Sequence, residues 1–219
     1  MLKYPCLVLD HDDTVVQSMK TLSYPFFCLE LEQFRPGASM SLEDYIFQCY
    51  RLGFADMCRE RFSFTDEEFV LEHKQWMEYI LQNIPDPYPG IERIIRRQKE
   101  EGGLLCVVSH SDSENIIRDY QAHFGILPDA IYGWDMEPHQ RKPNPWPLQD
   151  IMERYNLNAD DILVVDDSRL ACNMAHPLGV KVAFAGWNGI GVPAMTEEMM
   201  QLCDYTFHST EELEKFLFD

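Results

Sequence analysis

Positive charge is scarce in this sequence. It sets 18 Lys and Arg against 37 Asp and Glu, a formal charge of −19 over 219 residues. Without Lys/Arg clusters, counterion release has no purchase, which excludes nucleic acid and anionic membrane surfaces as partners. Long apolar runs are also missing. None approaches a bilayer-spanning length, and Met1-Leu2-Lys3-Tyr4-Pro5 does not read as a signal peptide. The seven cysteines include no Cys-x-x-Cys pair, so neither a zinc site nor a disulfide framework is expected. Such an odd, scattered set suits a reducing, cytoplasmic setting. What is present is 46% hydrophobic residues and 12% aromatics, enough to bury a substantial core. The length fits one large domain, or a core with a smaller insert.

Short apolar runs that stop abruptly at polar residues supply the organisation. Cys6-Leu7-Val8-Leu9 runs into Asp10-His11-Asp12-Asp13-Thr14. Leu104 to Val108 runs into Ser109-His110-Ser111-Asp112, and Ile162 to Val165 into Asp166-Asp167-Ser168. A fourth run, Val180 to Ala185, ends at Gly186-Trp187-Asn188-Gly189, and Tyr205-Thr206-Phe207 reads as a short edge strand. Runs of this kind are strands buried on both faces. Between them lie helical stripes at Ile91 to Glu101, Glu114 to Phe124 and Pro147 to Tyr155. Alternating strands and helices predict a Rossmann-like α/β fold, a parallel sheet flanked by helices.

Residues 15–88 break the alternation. Ser41-Leu42-Glu43-Asp44 and Thr65-Asp66-Glu67-Glu68 open helices as capping boxes; Gly53 closes the first and the Pro85 to Gly90 segment the second. This predicts a core domain of residues 1–14 and 89–219, with a small all-helical cap domain, 15–88, inserted after the first strand.

Ligands of a parallel α/β sheet sit beyond the carboxyl ends of its strands. There the sequence places Asp10 and Asp12, Ser109, and Asp166 and Asp167, with Lys142 of Arg141-Lys142-Pro143-Asn144-Pro145 in reach before a helix. Carboxylates crowded on one rim call for a cation, and Mg2+ favours one or two carboxylates together with water and phosphate. A hydroxyl, an ammonium and a metal together neutralise a phosphoryl group. The chemistry this suggests is Mg2+-assisted phosphoryl transfer through an acyl-phosphate. Each residue alone also has a structural reading: Ser109 as a helix cap, Lys142 as a solvated base, Asp166-Asp167 as a helix-start pair, His11 as a loop residue.

The chain resembles the haloacid dehalogenase superfamily, in the helical-cap branch of the phosphoglycolate phosphatases and β-phosphoglucomutases. Four motifs occur in order: Asp10-His11-Asp12-Asp13-Thr14 with Ser18, Ser109 after Val107-Val108, Lys142-Pro143-x-Pro145, and Asp166-Asp167-Ser168. The resemblance implies that Asp10 is the phosphorylated nucleophile and Asp12 the acid and base. It implies phosphate contacts from Thr14, Ser109, His110 and Lys142. Mg2+ would be held by Asp10, the Asp12 carbonyl and an acid of the Asp166-Asp167 pair, with alignment on Leu178-Gly179 favouring Asp167. An Asp at position 12 favours phosphatase or phosphomutase over dehalogenase chemistry. Asp13 stands where the family usually has Gly, His110 where Asn is common, and Ala171 where a second Asp often lies.

The expected function is therefore a Mg2+-dependent phosphatase acting on a small phosphorylated metabolite. A phosphomutase on the same core is the alternative, and a non-catalytic phosphate-binding module is a more distant one. The latter would have lost at least one of Asp10, Asp12, Ser109 and Lys142. A receiver-type phosphoacceptor would place its paired acids before the acceptor, and a dinucleotide-binding enzyme would need a glycine between positions 10 and 14. Within the insert, Lys20, Arg35 and Arg51 are candidates for meeting the distal part of a substrate. Oligomeric state is left open, a monomer being compatible.

Overall fold

The structure, a computed structural model, describes residues 2–188 and 193–219. Gly189, the end of the turn expected after the fourth run, lies outside them, as do Met1 and positions 190–192. Strands β1 (Cys6–Leu9), β2 (Leu104–Val108), β3 (Ala130–Tyr132), β4 (Ile162–Asp166), β5 (Lys181–Ala185) and β6 (Tyr205–Phe207) form one sheet in the order β3-β2-β1-β4-β5-β6, every pairing parallel. Strand order reverses between β1 and β4, the point at which such sheets bind ligands. Register is tight there: Leu9 is level with Val107 on one side and Val165 on the other.

The chain divides into two compact units, one of residues 2–16, 87–188 and 196–219, the other of 17–86 with 193–195. The second unit is helical. After a π-helical turn at Met19–Ser23 come α1 (Tyr24–Phe34), α2 (Leu42–Leu52), α3 (Phe54–Phe62) and α4 (Asp66–Gln82). Ser41 accepts the Asp44 N–H at the start of α2, and Thr65 and Glu68 complete a reciprocal capping box on α4. Gly53, at φ 81°, separates α2 from α3 in a conformation that a side chain would strain. Phe27, Leu31, Tyr45, Ile46, Met57 and Phe64 pack as the interior of this unit.

One expectation fails here. Arg35 is no base waiting for a substrate, because its guanidinium grips both Glu68 oxygens at 2.8 and 3.0 Å and donates to the carbonyls of Phe62 and Ser63. It ties the end of α1 to the turn between α3 and α4. Arg51 likewise donates to Gln48 on its own helix.

In the first unit, α5 (Ile91–Glu100), α6 (Ser113–Phe124), α7 (Trp146–Tyr155), α8 (Arg169–Ala175) and α10 (Thr210–Phe218) flank the sheet; α9 (Pro193–Leu202), which precedes β6, belongs to this unit from residue 196 onward. Side chains of β1 alternate between two cores. Leu7 and Leu9 pack with Ile94, Ile95, Tyr120 and Leu213, whereas Cys6 and Val8 pack with Leu148, Ile151, Met174 and Ala175. A strand buried on both sides needs apolar residues at every position, which is why the run is continuous. The chain leaves and re-enters this unit at adjacent points: the Tyr88 N–H donates to the Val15 carbonyl at 2.9 Å, and Val16 bridges Pro87. No helix among the described residues is long and apolar enough to cross a membrane.

Candidate active site

The rim of the sheet is built on β1. The Asp10 N–H donates to the Val165 carbonyl at 2.9 Å, so β4 fixes the first residue beyond the strand. The chain then turns: the N–H groups of Val15 and Val16 both reach the His11 carbonyl. Asp13 sits in this turn at φ 55°, the left-handed region that the usual Gly would adopt and that Asp tolerates. Trp187 donates its indole N–H to the Thr14 carbonyl at 3.1 Å, holding the far end of the loop.

Lys142 is the centre of the charge arrangement. It is 4% exposed, and its Nζ lies 2.8 Å from Asp10 Oδ1 and 2.8 Å from Asp166 Oδ2. Burial alone would lower the ammonium's pKa, but the charges of Asp10 and Asp166 outweigh it and hold the group above the ordinary lysine value. Asp166 spends its other oxygen on the N–H and hydroxyl of Ser168, at 2.7 and 2.8 Å. Burial and the Asp10 charge still push its carboxyl upward, against Lys142 and Ser168. Asp167 is pushed well up by burial and by Asp166, Asp10 and Asp13, and its Oδ2 accepts from Asn188 at 3.3 Å.

Oxygens of Asp10, Asp166 and Asp167 all lie within 4.8 Å of one another. Three hard carboxylate donors at such spacing, with Lys142 their neighbouring cation, match the chemistry of a hard divalent ion. Asp12 stands apart from this group. Its Oδ2 accepts the Ser111 hydroxyl at 2.6 Å, so its carboxylate is held by the segment after β2.

Ser109 follows β2 and is buried; its N–H donates to Tyr132 on β3, and its Oγ accepts the Ser111 N–H at 3.3 Å. His110 uses its ring rather than leaving it idle: Nε2 lies 2.9 Å from the Lys142 carbonyl, joining the second and third motifs. Thr14 is fully buried, and its Oγ1 has no hydrogen-bond partner among the described residues. The sequence-predicted set thus gathers in two groups, Asp10, Lys142, Asp166 and Asp167 in one and Asp12 with the Ser109-to-Ser111 segment in the other.

Two features escaped sequence reasoning. Ser111 had no assigned role. His11, expected as a loop residue, is 1% exposed, and its Nε2 lies 3.0 Å from Asp119, whose other oxygen is held by Arg118 at 2.7 Å. The signal available for His11 was only its place between two acids; its partner is far along the chain on α6.

Solved structures share this architecture. A protein from Haemophilus somnus 129pt, described as a predicted phosphoglycolate phosphatase, superposes with a TM-score of 0.72 at 21% identity, covering 99% of both chains. A subfamily IA hydrolase of the superfamily from Geobacter sulfurreducens PCA gives 0.74 at 16% identity, over 99% of this chain and 97% of that one. CbbY of Rhodobacter sphaeroides, solved with xylulose-1,5-bisphosphate, gives 0.67 at 16% identity, over 97% and 96%. At these identities the likeness is one of fold. No curated protein matches the sequence. The family of haloacid dehalogenase-like hydrolases, however, matches residues 7–185, from the first strand to the fifth, and the chain belongs to that family of enzymes.

Proposed function

We propose that the chain is a Mg2+-dependent phosphatase that hydrolyses the phosphate monoester of a small metabolite through an aspartyl-phosphate on Asp10. The observation that carries this reading is the buried Lys142 ammonium between Asp10 and Asp166, with Asp167 alongside. Asp10 and Asp167 would hold the metal with the Asp12 carbonyl. Asp167 is favoured over Asp166 because Lys142 and Ser168 already occupy both Asp166 oxygens. Bound Mg2+ supplies neutralisation and orientation of the phosphoryl oxygens.

The chain's own groups account for the remaining steps. An Asp10 carboxylate oxygen attacks phosphorus while the ester P–O bond breaks, and the Asp12 carboxyl gives its proton to the departing alkoxide. Asp12, now a carboxylate, takes a proton from water as that water's oxygen attacks phosphorus. The Asp10–phosphorus bond breaks, releasing phosphate and restoring both acids. Ser109 Oγ, the Thr14 hydroxyl, the His110 backbone N–H and Lys142 are the donors assigned to the phosphoryl oxygens. Ser111 keeps the Asp12 carboxylate oriented between its two tasks.

Binding of a small phosphorylated ligand is supported by CbbY, solved with xylulose-1,5-bisphosphate and, separately, with phosphate. Residues 1–14 and 89–219 are assigned as the catalytic core and 15–88 as the cap. The free, scattered thiols support action in the cytoplasm. The test is hydrolysis of an aryl phosphate with and without Mg2+. Wild type should turn over only with the metal, and Asp10→Asn should lose at least about 10³-fold in kcat, as nucleophile removal does. An Asp10→Asn protein as fast as wild type would overturn the assignment.

A further inference from the structure

The helical unit contains a cavity of about 410 Å3, within the size range of small-molecule sites. Four aromatic rings wall it, Phe26, Tyr45, Phe54 and Trp76, with Phe26 and Trp76 edge to face at 5.2 Å. Glu72 and His73 of α4 also line it, and no Lys or Arg does so among the described residues. Nearby on α1, Glu30 is 2% exposed, and its Oε2 has no hydrogen-bond partner among the described residues. Burial raises Glu72 to about 6. Burial and then the charge of Glu72 raise Glu30 to about 7.

The chemistry of the walls restricts the occupant. An anion would be repelled by Glu72 and Glu30. A neutral apolar molecule would bury the Glu72 carboxylate further and leave it without a counter-charge. A bare metal ion would find Glu72, His73 and Cys49 in the lining, but among the described residues their ligand atoms do not converge as those of Asp10, Asp166 and Asp167 do. A cation carried on carbon satisfies both parts, since ring faces attract it and the carboxylate compensates it. We propose that this cavity binds an organic ammonium ion, its charge against Glu72 and its alkyl groups among the four rings.

That ammonium has two possible sources: the alcohol part of the phosphate ester, or a separate free amine. Only the first rests on the phosphatase reading. Glu72 is surrounded by Glu30 on α1, Tyr45 and Cys49 on α2, Cys58 on α3 and His73 on its own helix. Burial keeps Tyr45, Cys49 and Cys58 protonated, the two thiols at about 11 and about 12. Ionisation of Glu72 and Glu30 should therefore tighten binding as pH rises from 5 to 8.

The test compares choline with its uncharged isostere, 3,3-dimethylbutan-1-ol, by calorimetry on the full chain. Choline should bind at least about tenfold more tightly at pH 8, and lowering the pH to 5 should erode that preference. Glu72→Gln, which keeps the side-chain shape, should abolish it. Equal affinity for the two probes, no binding of either, or a preference unchanged in Glu72→Gln would each overturn the proposal. Faster hydrolysis of phosphocholine than of 3,3-dimethylbutyl phosphate would identify the cation as part of the substrate. Equal hydrolysis of the two, with choline still bound, would identify a separate ligand. Choline binding without any hydrolysis of an aryl phosphate would sink the phosphatase reading and leave this proposal standing.

Discussion

In the α/β unit, the buried carboxylates of Asp10 and Asp166 share the Lys142 ammonium, 2.8 Å from each. In the helical unit, Glu30 feels the charge of Glu72 beside a cavity that no Lys or Arg lines among the described residues. Both arrangements bury acids, but only the first includes its own cation. Lys142 thereby keeps its proton in spite of burial, although Asp166 and Asp167 are still pushed upward. The helical pair is left to titrate, with values raised to about 7 and about 6. A built-in counter-ion anchors the first group, and its absence leaves the second responsive to pH.

Removing that counter-ion should have the largest effect. Lys142→Met should cost about 3–5 kcal/mol in urea unfolding, the penalty for leaving buried charge uncompensated, and should abolish turnover. Unchanged stability would mean that the rim does not need Lys142 to fold. Next comes Ser111→Ala, which removes the 2.6 Å bond to Asp12. Its kcat should fall about 10- to 100-fold with KM nearly unchanged, the scale of a hydrogen bond to a charged group. A loss confined to KM would count against Asp12 as the proton carrier.

A smaller effect should distinguish the helical unit by its pH dependence. The folded-state pKa of Glu30 is raised, so its stabilising contribution is full below about 4.5 and is lost as pH rises through about 7. Glu30→Gln should therefore be more stable than wild type at pH 8, by an amount on the order of 1–2 kcal/mol, and the gap should close by pH 5. Melting curves at the two pH values provide the measurement. The smallest change, Thr65→Ala, removes a helix cap and should cost about 1 kcal/mol equally at both pH values. If its cost followed pH as that of Glu30→Gln does, titration in this unit would not centre on Glu30.

Local patterns were legible in the sequence. The runs through Leu9, Val108 and Val165 announced central strands because burial on both faces demands unbroken apolar residues. Ser41 and Thr65 marked helix starts because capping is a contact over three residues. Asp13, which stands where the resembled family usually has Gly, sits in a left-handed turn that its side chain tolerates. The failures are of another kind. β3 has only three residues, too few to show a period. The partner of His11 is 108 positions away, and that of Ser111 is 99. Arg35 looked available because Glu68, which holds it, lies 33 positions on. Side-chain pairings across such spans are set by the folded chain, and no window of sequence contains them.

The hydrogen bond between Val15 and Tyr88 has a consequence for how such a protein can change over time. The chain leaves the α/β unit and rejoins it at two neighbouring points of backbone, like the two ends of a hairpin turn. Everything between them is, for the sheet, a turn of arbitrary size. One helical segment can be exchanged for another, bringing a new pocket with it, while Asp10 keeps its register beside β4.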